Sequence, residues 1–139
     1  MKRYIYNQNI EKMAEENYDV VIIGSGVAGL YAALNMDENL SCALLCKSEI
    51  EKTNSWLAQG GIAAVLTDDD RFDSHYEDTI VTGVRLCDDD AVKTLVEEGP
   101  KDIKKLIEYE VPFDLDDEGE LHITIEGGHS KRRIVHCGG

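Results

Sequence analysis

The sequence predicts an α/β fold built around a parallel sheet, and three observations carry that prediction. The first is the unbroken β-branched run Val20-Val21-Ile22-Ile23, led in by Asp19. The second is a set of glycines at 24, 26 and 29 directly behind it, and the third is a second apolar run from Ser41 to Cys46. A strand apolar on both faces is one that a parallel sheet buries on both faces. Between the two runs, Leu30, Ala33 and Leu34 fall at helical spacing among good helix formers, which predicts a helix from about Val27 to about Met36. Residues 18–47 therefore read as one βαβ unit.

The remaining elements follow in order. Residues 1–17 are polar and mixed, and are expected to form an amino-terminal arm or a short helix before the domain that runs over 18–139. Lys47 to Gly61 is too long and too rich in polar residues and glycine for a simple turn, and such connections hold ligands. Ile62 to Leu66 reads as a short strand. A helical segment spans 74–110: a first helix over Ser74–Val84, then one capped by Asp88 to Asp90 that buries Val92, Leu95 and Val96. Gly99 is expected to end that helix and Pro100 to start another, with Ile103, Leu106 and Ile107 as its apolar stripe. Asp116-Asp117-Glu118-Gly119 is expected to turn a hairpin, within 111–125, that joins Phe113–Leu115 to Leu121–Ile123. Strand order is not readable.

Composition excludes several classes. With 28 acidic against 14 basic side chains, a net charge of −14, the chain lacks the basic face that nucleic acid or an anionic membrane demands. No run approaches the roughly 18 apolar residues of a membrane span, and Met1-Lys2-Arg3-Tyr4 does not open a secretion signal, so a cytoplasmic location is expected. Cys42, Cys46, Cys87 and Cys137 form no C-x-x-C pair and no clustered His/Cys spacing, which predicts reduced packing residues and no metal. Asp68-Asp69-Asp70 and Asp88-Asp89-Asp90 lack the alternating spacing of a calcium loop and read as solvated turns or helix starts.

Gly24, Gly26 and Gly29 occupy the three positions of G-x-G-x-x-G between a buried strand and a helix. The first glycine permits the tight turn, the second lets a pyrophosphate reach the backbone, and the third lets helix and strand pack closely. The helix N-terminus offers unpaired N–H groups to the anion. This is a Rossmann-like dinucleotide site. Its usual acidic residue after the second strand is missing, however, and Cys46-Lys47-Ser48 stands there instead. On the motif alone Lys47 is compatible with a 2′-phosphate, so the choice of dinucleotide stays open.

Thr53-Asn54-Ser55-Trp56-Leu57-Ala58-Gln59-Gly60-Gly61-Ile62-Ala63 resembles the S/T-x-x-x-A-Q-G-G-I segment of the succinate dehydrogenase, fumarate reductase and L-aspartate oxidase flavoprotein family. The resemblance implies an FAD-binding domain, with Ser25, Gly26, Val27, Ala28 and Lys47 on the nucleotide half. It places Asn54, Ser55, Trp56, Leu57, Ala58, Gln59, Gly60 and Gly61 along the flavin half. The family's respiratory members bond flavin to a histidine five residues before the glutamine. Asn54 cannot form that bond, which implies noncovalent FAD. His75, Asp78, Thr79, Gly83, Leu86, Cys87 and Asp88 also resemble a shortened form of the family's D-S-x-x-H-x-x-D-T stretch, with a structural role favoured for His75.

Residues 125–136, Ile-Glu-Gly-Gly-His-Ser-Lys-Arg-Arg-Ile-Val-His, resemble the E-G-G-H-S-x-x-R-I-x-H signature of the family's L-aspartate oxidase branch. Glu126 is the substrate-orienting candidate, since a carboxylate there can face the ammonium that aspartate has and succinate lacks. His129, Ser130, Arg133 and His136 are candidate substrate or flavin contacts, with a structurally bonded basic cluster as the alternative. The resemblance implies oxidation of L-aspartate to iminoaspartate, with oxygen or fumarate as electron acceptor. It implies quinolinate synthase as the consumer of the product on the route to NAD. Family members continue well beyond the position matching Gly139, through a catalytic arginine and a carboxylate clamp, so residues 1–139 are expected to be an amino-terminal portion, inactive alone. A fumarate reductase or succinate dehydrogenase subunit and a noncatalytic FAD-binding fragment are the alternatives.

Overall fold

The computed structural model describes residues 14–138, and the predicted arm lies mostly outside them. The chain divides into two compact units, one ending at Ala58 and one starting at Gln59.

The first unit is the expected βαβ: β1 (Val20–Ile23), α1 (Val27–Leu34) and β2 (Cys42–Leu45). The strands pair in parallel with Val20 opposite Cys42 and Ile23 opposite Leu45. Polar contacts at the strand entrances hold this register. The Asp19 carboxylate accepts from the Ser41 backbone N–H at 2.8 Å and its hydroxyl at 2.6 Å, and Ser41 Oγ accepts from the Asp19 N–H at 3.0 Å. At the other end the Gly24 N–H donates to the Leu45 carbonyl at 2.9 Å. The helix stops two residues short of Met36. A 3₁₀ turn over Ile50–Lys52 and a one-turn helix α2 (Asn54–Leu57) then order the long connection, and the Thr53 hydroxyl caps α2 by accepting from Trp56 N–H. Val21, Ile23, Leu34 and Leu45 are each more than half exposed. That is the apolar surface that doubly wound sheets cover with further strands and helices.

The second unit holds β3 (Ile62–Ala63), α3 (Phe72–Thr82), α4 (Asp89–Glu108), β4 (Ile123–Thr124) and β5 (Ile134–Val135). Its sheet is antiparallel in the order β3-β5-β4, so the last strand lies in the middle. One core gathers Ala64, Ile103, Phe113 and Val135, and a second gathers Ile80, Val92 and Val96. The helix α4 spans both.

Several expectations are corrected here. Gly99 and Pro100 do not divide two helices, because α4 runs through them without a break. Val92, Val96, Gly99 and Ile103 follow one another at four- and three-residue steps, so Gly99 sits on the buried stripe. A Cβ added to it would lie 3.6 Å from the Ala64 Cβ. That is ordinary contact, so α4 packs on the chain at 63–64 without needing a glycine there, and packing along the stripe outweighs the hydrogen bond lost at Pro100. Leu95, expected in the core, is 61% exposed. The hairpin keeps its turn and a single bridge, Leu115 to Leu121, but the strand that follows pairs with β5 rather than with Phe113. The first helix starts at Phe72 and ends at Thr82, closed by Val84 and Arg85 in left-handed backbone at φ 54° and 56° and by the Arg85 N–H on the Ile80 carbonyl. The strand expected over 62–66 shrinks to Ile62–Ala63 because β5 offers only two partners.

Gly99→Ala should therefore stabilise the protein by about 0.5–1 kcal/mol, since its Cβ meets only ordinary contacts and helix propensity improves. Gly83→Ala should destabilise it, because a Cβ there collides with the Cys87 sulfur. Urea midpoints of the two variants, shifted in opposite directions, check this.

Candidate functional site

In the first unit, β1 delivers the chain to a turn that only glycines can make at this closeness. Gly24 has φ +114°, and a Cβ on Gly29 would run into the Gly24 carbonyl while meeting Ile22 at 3.3 Å. Gly26 then caps α1, and the Val27 N–H donates to Ser55 Oγ at 2.9 Å. A Cβ on Gly26 would stand 3.3 Å from that hydroxyl, so the 24–26 turn and the start of α2 lean on each other through glycine. Between them lies a cleft of about 580 Å³ lined by Gly24, Ser25, Gly26, Lys47, Ser48, Lys52, Thr53, Asn54 and Ser55.

This cleft suits an anion. Its lining carries two lysines and no carboxylate, and the N–H groups opening α1 face no acidic residue in the first turn. Lys52 also pairs with Glu49 at 2.7 Å on the surface, which leaves Lys47 as the lining lysine not already engaged by a carboxylate among the described residues. Six of the sequence-derived residues meet here: Gly24, Ser25, Gly26, Lys47, Asn54 and Ser55. Val27, Ala28 and Gly29 lie behind them on α1, and Trp56, Leu57 and Ala58 extend away as an exposed stretch. Sequence reasoning did not single out Ser48, Lys52 or Thr53 as cleft residues. Their placement beside Lys47 depends on the 3₁₀ turn, which no pattern announces.

In the second unit, Gln59-Gly60-Gly61 leads into β3, with Gly60 at φ +121°. A Cβ on Gly61 would collide with the Ile134 side chain, and would lie 2.7 Å from the Val135 carbonyl oxygen and 2.9 Å from His136 Nε2. The glycine is what allows this loop to lie flat on β5. His136 Nε2 is in turn 2.8 Å from Glu126 Oε1, and the Glu126 side chain is 50% exposed. His136, just past the central strand β5, thus touches both Gly61 and Glu126.

Of the other candidates, Arg133 is buried, His129 half-buried and Ser130 exposed. Arg133 has no exposed surface. Its Nε and Nη2 donate to the two oxygens of Asp70 at 2.7 Å each, its Nη1 to Asp78 Oδ2 at 2.7 Å, and its Nη2 also to Ser74 Oγ at 3.2 Å. Asp70, expected in a solvated turn, is instead buried as the bidentate partner of this guanidinium. Asp78 Oδ2 also accepts from the Ser130 N–H at 2.7 Å and its hydroxyl at 2.8 Å. His129 lies against buried His75, ring centroids 5.8 Å apart, and the Nδ1 atoms of both are buried without a partner among the described residues. Burial, helped by the nearby Arg133 and His129, holds the His75 pKa below its ordinary value against the pull of Asp70 and Asp78. Burial alone would raise the Asp78 carboxyl, but the Ser130 hydrogen bonds and Arg133 outweigh it and hold it low.

The family described as FAD binding domain matches residues 19–139. The chain is 50% identical over 127 residues to L-aspartate oxidase of Pseudomonas aeruginosa, covering 86% of this chain and 24% of that protein. It is 47% identical over 119 residues to the chloroplastic L-aspartate oxidase of Oryza sativa, covering 86% of this chain and 18% of the relative. Among solved structures, a variant of the E. coli quinol fumarate reductase FrdA superposes with a TM-score of 0.80 at 31% identity, over 86% of this chain and 21% of that one. Mycobacterium smegmatis Sdh1 in complex with UQ1 superposes with a TM-score of 0.79 at 33% identity, over 87% and 21%. The chain spans about a fifth of the length of these relatives.

The lowered His75 value has a consequence for stability. Above its ordinary value of 6.5 the ring is neutral folded and unfolded alike, and pH has no effect through it. As pH falls below 6.5 the unfolded chain takes up a proton that the folded chain resists, so stability falls until the lowered folded value is reached. The Asp78 contribution is present above 3.8 and is lost only as pH falls from there through its lowered value. Urea midpoints should decline from pH 6.5 downward, and His75→Gln should flatten the part of that decline lying above the carboxylate range. An unaltered slope in the variant would assign the decline to another group.

Proposed function

The chain belongs to the FAD binding domain family, and on that footing we propose that it is the cofactor-binding part of an FAD-dependent oxidoreductase that oxidises L-aspartate to iminoaspartate. The observation that carries the substrate reading is Glu126, a half-exposed carboxylate held by His136 in a chain that matches relatives named L-aspartate oxidase. FAD, when bound, supplies a two-electron acceptor. Gly24, Gly26, the opening N–H groups of α1 and Lys47 would hold its phosphates, and the stretch from Asn54 to Gly61 would flank its flavin end.

In the overall reaction, aspartate gives up the Cα–H as hydride and a proton from nitrogen, leaving the C=N bond of the product. The electrons leave to oxygen, giving hydrogen peroxide, or to fumarate, giving succinate. Glu126 contributes binding and orientation: its charge meets the substrate ammonium and fixes which face of Cα is presented. In this reading FAD is held noncovalently, because the amide of Asn54 offers no nucleophilic nitrogen to the flavin. The product would pass in the cytoplasm to quinolinate synthase on the route to NAD. No described helix is long and apolar enough to cross a membrane. The likeness to fumarate reductase favours a second reading, a dicarboxylate reductase. Against it, Glu126 would then be an anion placed beside a dianionic substrate.

Acid precipitation of the full-length protein should release all its FAD into the supernatant, and flavin left in the pellet would return the reading to the covalent respiratory enzymes. Replacing Glu126 with Gln keeps the side chain's size and removes its charge. A hydrogen bond to a charged partner contributes roughly 1.5–3 kcal/mol, so kcat/KM for aspartate should fall about tenfold to a hundredfold while fumarate reduction changes far less. Equal losses on both substrates would assign Glu126 to the fold or the flavin.

A further inference from the structure

Two contacts converge on His136. Its Nε2 lies 2.8 Å from Glu126 Oε1, and it lies against the Gly61 backbone, where an added Cβ would approach within 2.9 Å. The backbone of His136 is fixed as well: its carbonyl accepts from the Asp114 N–H at 2.9 Å as the chain leaves β5. The two side chains differ in exposure. His136 is 17% exposed and Glu126 50%, so the ring lies beneath the carboxylate and the carboxylate faces out. Oε1 is engaged by the ring, and Oε2 has no hydrogen-bond partner among the described residues.

We propose that His136 is a positioning residue that determines specificity: it pins one oxygen of Glu126 so that the other is presented to the substrate ammonium. This rests on the reading of Glu126 given above. A free glutamate must give up rotamer freedom when its ligand arrives, whereas one already held does not. Histidine suits the task better than lysine or arginine. Lysine or arginine would set a fixed cation against the carboxylate and compete with the ammonium, whereas an imidazole restrains it through a single directional N–H donor. The carboxylate oxygen can only accept, so the contact places a hydrogen on Nε2.

The test uses the FAD-loaded full-length protein and two ligands that differ in one essential group. 2-Methylaspartate carries both carboxylates and the ammonium but no Cα–H, so it binds without reducing the flavin, and succinate lacks the ammonium. Equilibrium affinities are read from the perturbation of flavin absorbance, whose unliganded spectrum also reports that each variant retains its cofactor and fold. His136→Ala should weaken 2-methylaspartate about fivefold to twentyfold and succinate by less than about twofold. His136→Gln, which keeps an N–H donor at similar reach, should recover most of the loss. In a Glu126→Gln background, His136→Ala should cost nothing further. Equal weakening of both ligands, a Gln variant no better than Ala, or additive losses in the double variant would each overturn the proposal. Anaerobic bleaching of the unsubstituted protein by aspartate separates the two levels of failure. Bleaching without a selective His136 effect overturns this proposal alone, and no bleaching overturns the substrate reading beneath it.

Discussion

The second unit depends on the charge of Arg133 being satisfied where no water reaches it. A guanidinium taken out of water costs several kcal/mol unless its donors are matched, and here Asp70 and Asp78 match them from the turn before α3 and from α3 itself. The same residue is part of the sheet. Its N–H donates to the Thr124 carbonyl at 3.0 Å and its carbonyl accepts from Ala64 N–H at 2.9 Å, so the backbone of Arg133 extends the ladder on both sides of β5. One residue thereby fixes the sheet, the start of α3 and the distance between them. Burial would loosen its proton, yet the bonds to Asp70 and Asp78 more than compensate and keep it charged.

The candidate site inherits its geometry from that network. Asp78 is shared between Arg133 and the Ser130 N–H and hydroxyl, which ties the 126–130 loop to α3. The loop then turns through Gly128 at φ +85°, close enough to Thr82 that a Cβ there would stand 2.9 Å from its hydroxyl. Glu126 is at the far end of this loop, and His136 is three residues beyond Arg133 on the same strand path. The carboxylate and its imidazole partner are therefore held by two segments that meet at one buried ion pair. A small motion at Arg133 would be felt at both.

How much of this was legible in the sequence follows from how local each feature is. The βαβ unit was readable because its causes lie within thirty residues: β-branched runs, glycines at fixed offsets, helix formers between. Gly24, Gly26, Lys47 and Ser55 could be grouped for the same reason, since the turn and the loop carry their own signatures. The role of Asp70 was not readable, because its partner lies 63 positions away and an acidic triplet resembles solvated turn chemistry. The passage of α4 through Gly99 and Pro100 was misread for a similar reason. Terminator residues speak for local preference, but Ala64 and Ile103 decide which surface Gly99 must fit. The β4–β5 pairing was hidden because Leu121 to Ile123 satisfies a hairpin pattern equally well with the wrong neighbour.

The net charge of −14 sharpens what a site for an anionic cofactor and a dianionic, singly cationic substrate must do. The cleft proposed for the nucleotide has no carboxylate in its lining and brings Lys47 and the residues opening α1 to one cavity. Glu126 does the reverse, placing one more negative charge where the proposed substrate already carries two. That is unfavourable for a plain dicarboxylate and favourable only for one with a cation at Cα. A site that hydrogen-bonds a particular group rejects the analogue lacking it mainly by leaving its own polar atom unpaired, which discriminates far more than the fit of a methylene. In the proposal made above, a carboxylate held by His136 would not swing away to water when the wrong ligand arrives, and that restraint would convert a charge into selectivity.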